Sequence, residues 1–239
     1  MHKTSELAIL HTNDFHGCLD EPRREKLRAL RTQADLYFDC GDAVKAGNLG
    51  FSPAPEQVWQ LLAELDVTAG VPGNRESHLA EAALRTKLNG LKHPLLCANL
   101  RRKDGTRPFP ESIVLETPLG KVGVLGVMVP MVTDRMAARH ASAFLWDPPI
   151  PIACELAERL APECDHVLAL THIGLNQDRR LASEGAPIDV ILGGHSHSVL
   201  TEPERVGRTF IAHAGSHARM AGLYRWDGDQ LTGSLHPLI

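Results

Sequence analysis

The stretch Leu7-Ala8-Ile9-Leu10-His11-Thr12-Asn13-Asp14-Phe15-His16-Gly17 sets an aspartate and a histidine two residues apart just beyond an apolar run. The run Leu7-Ala8-Ile9-Leu10 predicts a buried strand. In extended chain, residues i and i+2 point the same way, so Asp14 and His16 can face one site. A D-x-H pair at a strand end has a metal-ligand spacing. By itself the pair is weak, since aspartate and histidine in a loop are often a turn residue and a solvated ring. Its value depends on further ligands downstream.

Working outward, apolar runs alternate with segments of helical period. Pro22 to Ala34 predicts a charged helix, and Leu36-Tyr37-Phe38 a second strand. Pro53 to Leu65 predicts a helix with Val58, Leu61, Leu62 and Leu65 on one stripe, Ser52 as cap and Pro53 in the first turn. Asn74 to Leu91 predicts another, with Leu79, Ala83, Leu84 and Leu88 inward. Strands follow near Leu95 to Cys97, Ile113 to Leu115 and Val122 to Met128. Ile152, Leu156 and Leu160 mark a helix ending near Pro162. Strands at His166 to Leu170 and Ile188 to Leu192 flank a short polar helix, and Thr209 to His236 reads as closing strands with turns at Asp227-Gly228 and near Gly215.

Each strand end carries polar residues. Gly41-Asp42 follows the second strand, where a turn aspartate is the ordinary reading. Gly73-Asn74 follows Val67 to Val71, where Asn74 also suits a helix N-cap. Thr171-His172 and Gly193-Gly194-His195-Ser196-His197 follow the strands near 170 and 192, and the second repeats the i, i+2 spacing with two imidazoles. Asp14, His16, Asp42, Asn74, His172, His195 and His197 therefore share the C-terminal edge of the strands, where open α/β sheets bind ligands.

Composition bounds the function classes. With 239 residues, 43% hydrophobic and 23% charged, the chain suits one globular domain with a sizeable core. The net charge of -4 argues against nucleic acid held by bulk basicity, so Arg23-Arg24 and Arg101-Arg102-Lys103 are read as solvated faces. Residues Met1 to Glu6 lack the apolar core of a signal peptide, and the apolar stretch Val122 to Val132 is too short and too interrupted to span a bilayer. A cytoplasmic protein with no membrane partner is expected. The 5 cysteines form no CxxC and are expected to be reduced and mostly packed. Cys18 stands out for its nearness to His16.

DFHG, GDA, GNRE, THIG and GGHSH, in that order, resemble the five blocks of the calcineurin-like metallophosphoesterases, and especially the catalytic domain of the 5′-nucleotidase and 2′,3′-cyclic phosphodiesterase branch. The likeness runs from about Glu6 past Tyr224 and takes in His213-Ala214-Gly215-Ser216 through Gly222. It implies an α/β fold, a four-layer αββα sandwich of two mixed β-sheets flanked by helices. It also implies a dinuclear centre, with Asp14, His16, Asp42 and His197 on the first metal and Asp42, Asn74, His172 and His195 on the second. A carboxylate at Asp42 can span two cations, and the pair can activate a bridging hydroxide that attacks phosphorus in line. Nitrogen and oxygen ligands without thiolate suit two divalent ions of Mn, Fe, Zn or Co.

Two departures bear on activity. The branch carries a C-terminal nucleoside-holding domain, whereas residues 1–239 are expected to form a single catalytic domain, acting broadly on small phosphate compounds. In the GNRE block, the third, the family's catalytic histidine falls on Arg75 and its aspartate on His78. If Glu76 onward is helical, Arg75 and His78 share a face and are the catalytic candidates. An arginine stays protonated at neutral pH, so Arg75 fits a phosphate clamp rather than a leaving-group acid, and His78 is either that acid or a solvated residue. A phosphoric ester hydrolase is expected. The alternative is a metal-binding scaffold with impaired turnover.

Overall fold

The computed structural model describes residues 6–52 and 54–239, and in it the apolar runs become strands joined by helical crossovers. In chain order these are β1 (Leu7–Thr12), α1 (Glu21–Arg31), β2 (Leu36–Asp39), α2 (Gln57–Ala63), β3 (Ala69–Gly70), α3 (Glu81–Lys87), β4 (Leu100–Arg102), β5 (Ser112–Thr117) and β6 (Gly120–Met128). They continue with β7 (Phe144–Trp146), α4 (Pro149–Leu160), β8 (His166–His172), α5 (Leu175–Ser183), β9 (Val190–Gly193), β10 (Glu204–Val206), β11 (Thr209–His213), β12 (Met220–Trp226) and β13 (Leu231–Pro237).

Two mixed sheets result. One has the order β13-β12-β1-β2-β3, in which β1 is antiparallel to β12 and parallel to β2. The other has the order β10-β11-β9-β8-β6-β5, in which β11, β9, β8 and β6 run parallel between antiparallel edges. Strand alternation explains why they stack. Ile9, Phe38, Val124, Leu168, Leu170, Leu192 and Tyr224 point into one shared core, while Leu125, Val167, Ala169 and Ile191 point outward under α4 and α5. Leu10 and Tyr37 face the opposite way, under α1 and α2. Strands buried on both faces read as continuous apolar runs, and the layers are α, β, β, α.

The helices are shorter than their apolar periods suggest. The segment expected from Pro53 is helical only from Gln57; Pro53 itself lies outside the described residues. Ser52 Oγ accepts from Ala54 N at 3.2 Å in a local turn rather than capping the helix, and Pro55 disfavours helical backbone at the residue before it. The helix expected from Asn74 to Leu91 is reduced to α3, because backbone groups of residues 73–75 are committed elsewhere: Gly73 N to Glu76 Oε2 at 2.8 Å and Arg75 N to Asp42 Oδ1 at 2.7 Å. Near Leu95 the expected strand is only a bridge, Gly70 to Leu95. A small antiparallel pair, β4 with β7, was not expected. Its short segments lack a period long enough to read.

Candidate metal centre

The C-terminal ends of β1, β2, β8 and β9 and the loop after β3 meet at one edge of the sandwich, and they bring all seven expected ligands there. Around Asp14 Oδ1 stand His16 Nε2 at 3.6 Å and His197 Nε2 at 3.5 Å. His172 Nε2 lies 3.5 Å from Asp42 Oδ1 and 3.3 Å from Asn74 Oδ1, and the His195 ring centroid is 5.0 Å from that of His172. Asp42 Oδ2 is 3.9 Å from His16 Nδ1, so this carboxylate stands between the two groups. His16 and His197 touch through Nε2 atoms at 2.8 Å.

Fit to cations can be tested on these atoms. Asp14 Oδ1 and His16 Nδ1 are buried and have no hydrogen-bond partner among the described residues, a costly state that a bound ion would relieve. Asp14, Asp42 and His172 can converge on one ion, and so can His16, His197 and His217. The backbone carries the same signature. Non-glycine residues with positive φ among the described residues are Asp14, His16, Asp42, Asp66, His195, His197, His217 and Ala218. All but Asp66 line or adjoin this site. Left-handed backbone costs about 1–3 kcal/mol per such residue and clusters where function requires it.

Supporting bonds fix these candidate ligands. Asp14 Oδ2 accepts from His195 N at 2.8 Å and Asn13 Nδ2 at 2.7 Å. His172 Nδ1 meets Cys40 O at 2.7 Å, which makes Nδ1 the donor and leaves Nε2 facing the site. Glu76, buried, accepts from Asp42 N, Val44 N and Gly73 N at 2.7, 3.1 and 2.8 Å. Asn74 Nδ2 donates to Asn48 Oδ1 at 2.8 Å, which turns its oxygen toward His172. Beneath this, buried Lys87 donates to the carbonyls of Gly47, Asn48, Arg75 and Ser77 at 2.6–3.3 Å and ties the two loops together. Gly73 has no room for a side chain, since a Cβ would collide with Asp42 Oδ1.

Charges follow this geometry. Burial opposes the imidazolium of His172, yet hydrogen bonding and charge from Asp42 outweigh it and lift the pKa to about 9. Burial likewise opposes the Asp42 carboxylate, but His172 holds its pKa below the usual value. His16 is pushed down to about 4 by burial and by the Arg75 cation. Both shifts favour an Asp42–His172 ion pair, so a cation at His172 Nε2 would compete with the proton there.

Arg75 and His78 are placed differently from the expectation. Residues 72–80 are turn and irregular chain, so the two share no helix face. Arg75 Nε is 3.9 Å from Asp42 Oδ2, and its Nη1 donates to Lys45 O at 3.1 Å, at the rim of the site. His78 Nδ1 accepts from Ala80 N at 2.9 Å, and its ring edge packs on Phe51. The sequence reading missed Glu76, Lys87 and His217. Glu76 lay in the quoted GNRE block and His217 in the quoted stretch from His213 to Gly222, while Lys87 carried no local signal. Cys18 Sγ reaches only the His16 carbonyl at 3.8 Å, and all five cysteines are free. No helix among the described residues is long and apolar enough to cross a membrane.

Residues 7–199 match the family described as Calcineurin-like phosphoesterase. The chain is 25% identical over 271 residues to the trifunctional nucleotide phosphoesterase protein YfkN of Bacillus subtilis, covering 91% of this chain and 18% of that protein. It is 30% identical over 223 residues to an apyrase of Tabanus yao, covering 81% of this chain and 39% of that one. In structure it resembles a putative 5′-nucleotidase from Staphylococcus aureus, with a TM-score of 0.80 and 18% identity over 98% of this chain and 55% of the other. Against the calcineurin-like phosphoesterase YfkN from Bacillus subtilis the TM-score is 0.77 at 19% identity, covering 98% and 91%. The chain thus spans well under half the length of these two curated relatives.

Proposed function

The chain belongs to the calcineurin-like phosphoesterase family, metal-dependent hydrolases of phosphoric esters, and we propose that it is a dinuclear-metal enzyme acting on small phosphate compounds. The observation that carries this reading is Asp14 Oδ1, buried between His16 and His197 without a hydrogen-bond partner among the described residues. Asp14, His16, Asp42 and His197 would hold one ion, and Asp42, Asn74, His172 and His195 the other, with Mn, Fe, Zn or Co as candidates. Two such ions would supply positive charge for the phosphate oxygens and would lower the pKa of a water available as nucleophile.

The protein's own groups do the rest. Arg75, half-exposed at the rim, grips a phosphoryl oxygen through its planar fork. His195, Ser196, Ser198 and Asn176 line a hollow of about 230 Å³ beside the site. Through Ile173 and Gln177 it borders a more apolar cavity of about 570 Å³ with Pro130, Pro149 and Ile150 in its wall. The organic part of the substrate would lie along this groove. Several relatives are named as nucleotidases or apyrases, so nucleotides belong among the small phosphates to be tested.

Arg75 also favours a second reading, a metal-binding scaffold with impaired turnover, because an arginine at this position cannot protonate a leaving group. One experiment addresses both. Purified chain should hold two divalent ions and hydrolyse an aryl phosphate when Mn, Co, Zn or Mg is added singly, and Asp42→Asn should lose both ions. Undiminished occupancy in that variant removes Asp42 from the bridge. Full occupancy without turnover of any phosphate selects the scaffold.

A further inference from the structure

We propose that His217 supplies a third imidazole to the first metal position, beside His16 and His197. The inference rests on the metal reading above and extends it to a residue outside the seven expected ligands. The His217 ring centroid lies 4.8 Å from that of His16 and 5.5 Å from that of His197. One ring nitrogen from each of the three falls within 4.8 Å of the others. Donors on opposite sides of one ion, with bonds of about 2.1 Å, are about 4.2 Å apart. A small side-chain movement therefore closes the set.

Two observations show that the imidazole is held there. First, His217 Nδ1 is engaged by Ser216 Oγ at 2.8 Å, which leaves Nε2 for the site. The loop is pinned to the ligand strand: His217 N donates to Asp14 O at 2.7 Å, Ala214 N to Asn13 Oδ1 at 3.0 Å, and Asn13 Nδ2 to Gly215 O at 2.7 Å. Second, His217 and Ala218 are consecutive left-handed residues, at φ 58° and 51°. Glycine would adopt this backbone at little steric cost, so the chain retains a side chain at position 217 against local strain. A solvated histidine needs neither the pinning nor the strain. A third nitrogen donor also biases the position toward Zn, Co or Fe over Mg and Mn.

The test uses the full chain, stripped with chelator and titrated calorimetrically with Zn²⁺ or Co²⁺. His217→Gly removes the imidazole and relieves the left-handed strain, so its metal-free melting temperature should equal or exceed that of the wild type. Its affinity at one of the two positions should nevertheless fall, on the order of 10- to 100-fold, the range seen even for losing an outer partner of a ligand. The other position should be unchanged. His217→Phe keeps a planar ring without a donor nitrogen and should show the same loss. If either folded variant binds both ions with wild-type affinity, the inference is overturned while the dinuclear reading stands. If the wild type takes up no divalent ion, both fall.

Discussion

Replacing Arg75 with histidine should accelerate hydrolysis of alkyl phosphates far more than that of aryl phosphates. The position is suited to the exchange: its backbone N is bound to Asp42 Oδ1 at 2.7 Å, and its side chain reaches within 3.9 Å of Asp42 Oδ2. A shorter ring on the same Cα stays beside the reacting group. An alkoxide is a poor leaving group and needs a proton as it departs, and general acid assistance is worth roughly 10²- to 10⁴-fold, or about 2.7–5.5 kcal/mol of barrier. An aryloxide leaves as a stable anion and gains little. Loss of the guanidinium works the other way. It removes a charge-assisted hydrogen bond to the phosphoryl group worth about 1.5–3 kcal/mol, raising KM by roughly 10- to 100-fold for both substrates alike. The ratio of kcat values on a matched alkyl and aryl pair therefore isolates the proton. His78→Ala should leave that ratio alone, since its ring packs against Phe51 and its Nδ1 accepts from Ala80 N rather than facing the metal cluster. An unchanged ratio in Arg75→His refutes the account of position 75, and a selective alkyl loss in His78→Ala moves the acid to His78.

Lys87→Met should remove the donor from the carbonyls of Gly47, Asn48, Arg75 and Ser77, of which that of Ser77 is buried, at a cost of about 1–3 kcal/mol. It should also weaken the metal position that uses Asn74. Urea unfolding and metal titration read the two effects, and wild-type stability would show the ammonium to be dispensable. Asp39 is pushed up to about 8, chiefly by burial, with the Glu76 charge adding to it. Between about pH 4 and 8 the unfolded chain has therefore lost a proton that the folded chain keeps, and stability should fall as pH rises, by up to about 1.4 kcal/mol per unit. Asp39→Asn should flatten the slope of unfolding free energy between pH 5 and 7 by about one proton's worth; parallel slopes would mean that Asp39 is ionised in the fold. Leu170→Ala, fully buried between the sheets, should cost about 2–5 kcal/mol, whereas Val114→Thr on the exposed face of β5 should shift the urea midpoint little. A small loss for Leu170→Ala would show that the inter-sheet core collapses around the cavity.

Local chemistry made the two sheets and most of the residues that converge at the site readable. The buried strands β1, β6, β8 and β9 are mostly apolar on both faces, so each stands out as a run, and those of β1, β8 and β9 end where Asp14, His172 and the His195 and His197 pair begin. Helix positions were readable but their lengths were not. Residues 73–77 have helical spacing, yet their backbone and the Glu76 carboxylate bond to Asp42 and Val44, more than thirty residues away, and that competition starts α3 only at Glu81. Glu56 likewise turns its carboxylate to Lys45 N and Ala46 N, just ahead of Gln57. Lys87 sits on α3 like a surface lysine, and His217 sits in a turn like a solvated ring. What makes one a buried clamp and the other a neighbour of His16 is the meeting of chain segments about 10 to 200 residues apart. Strand period and ligand spacing are properties of neighbouring residues and can be read along the chain. Burial of a charge, or convergence of three imidazoles, depends on which loops the sandwich brings to the same edge, and only the folded chain decides that.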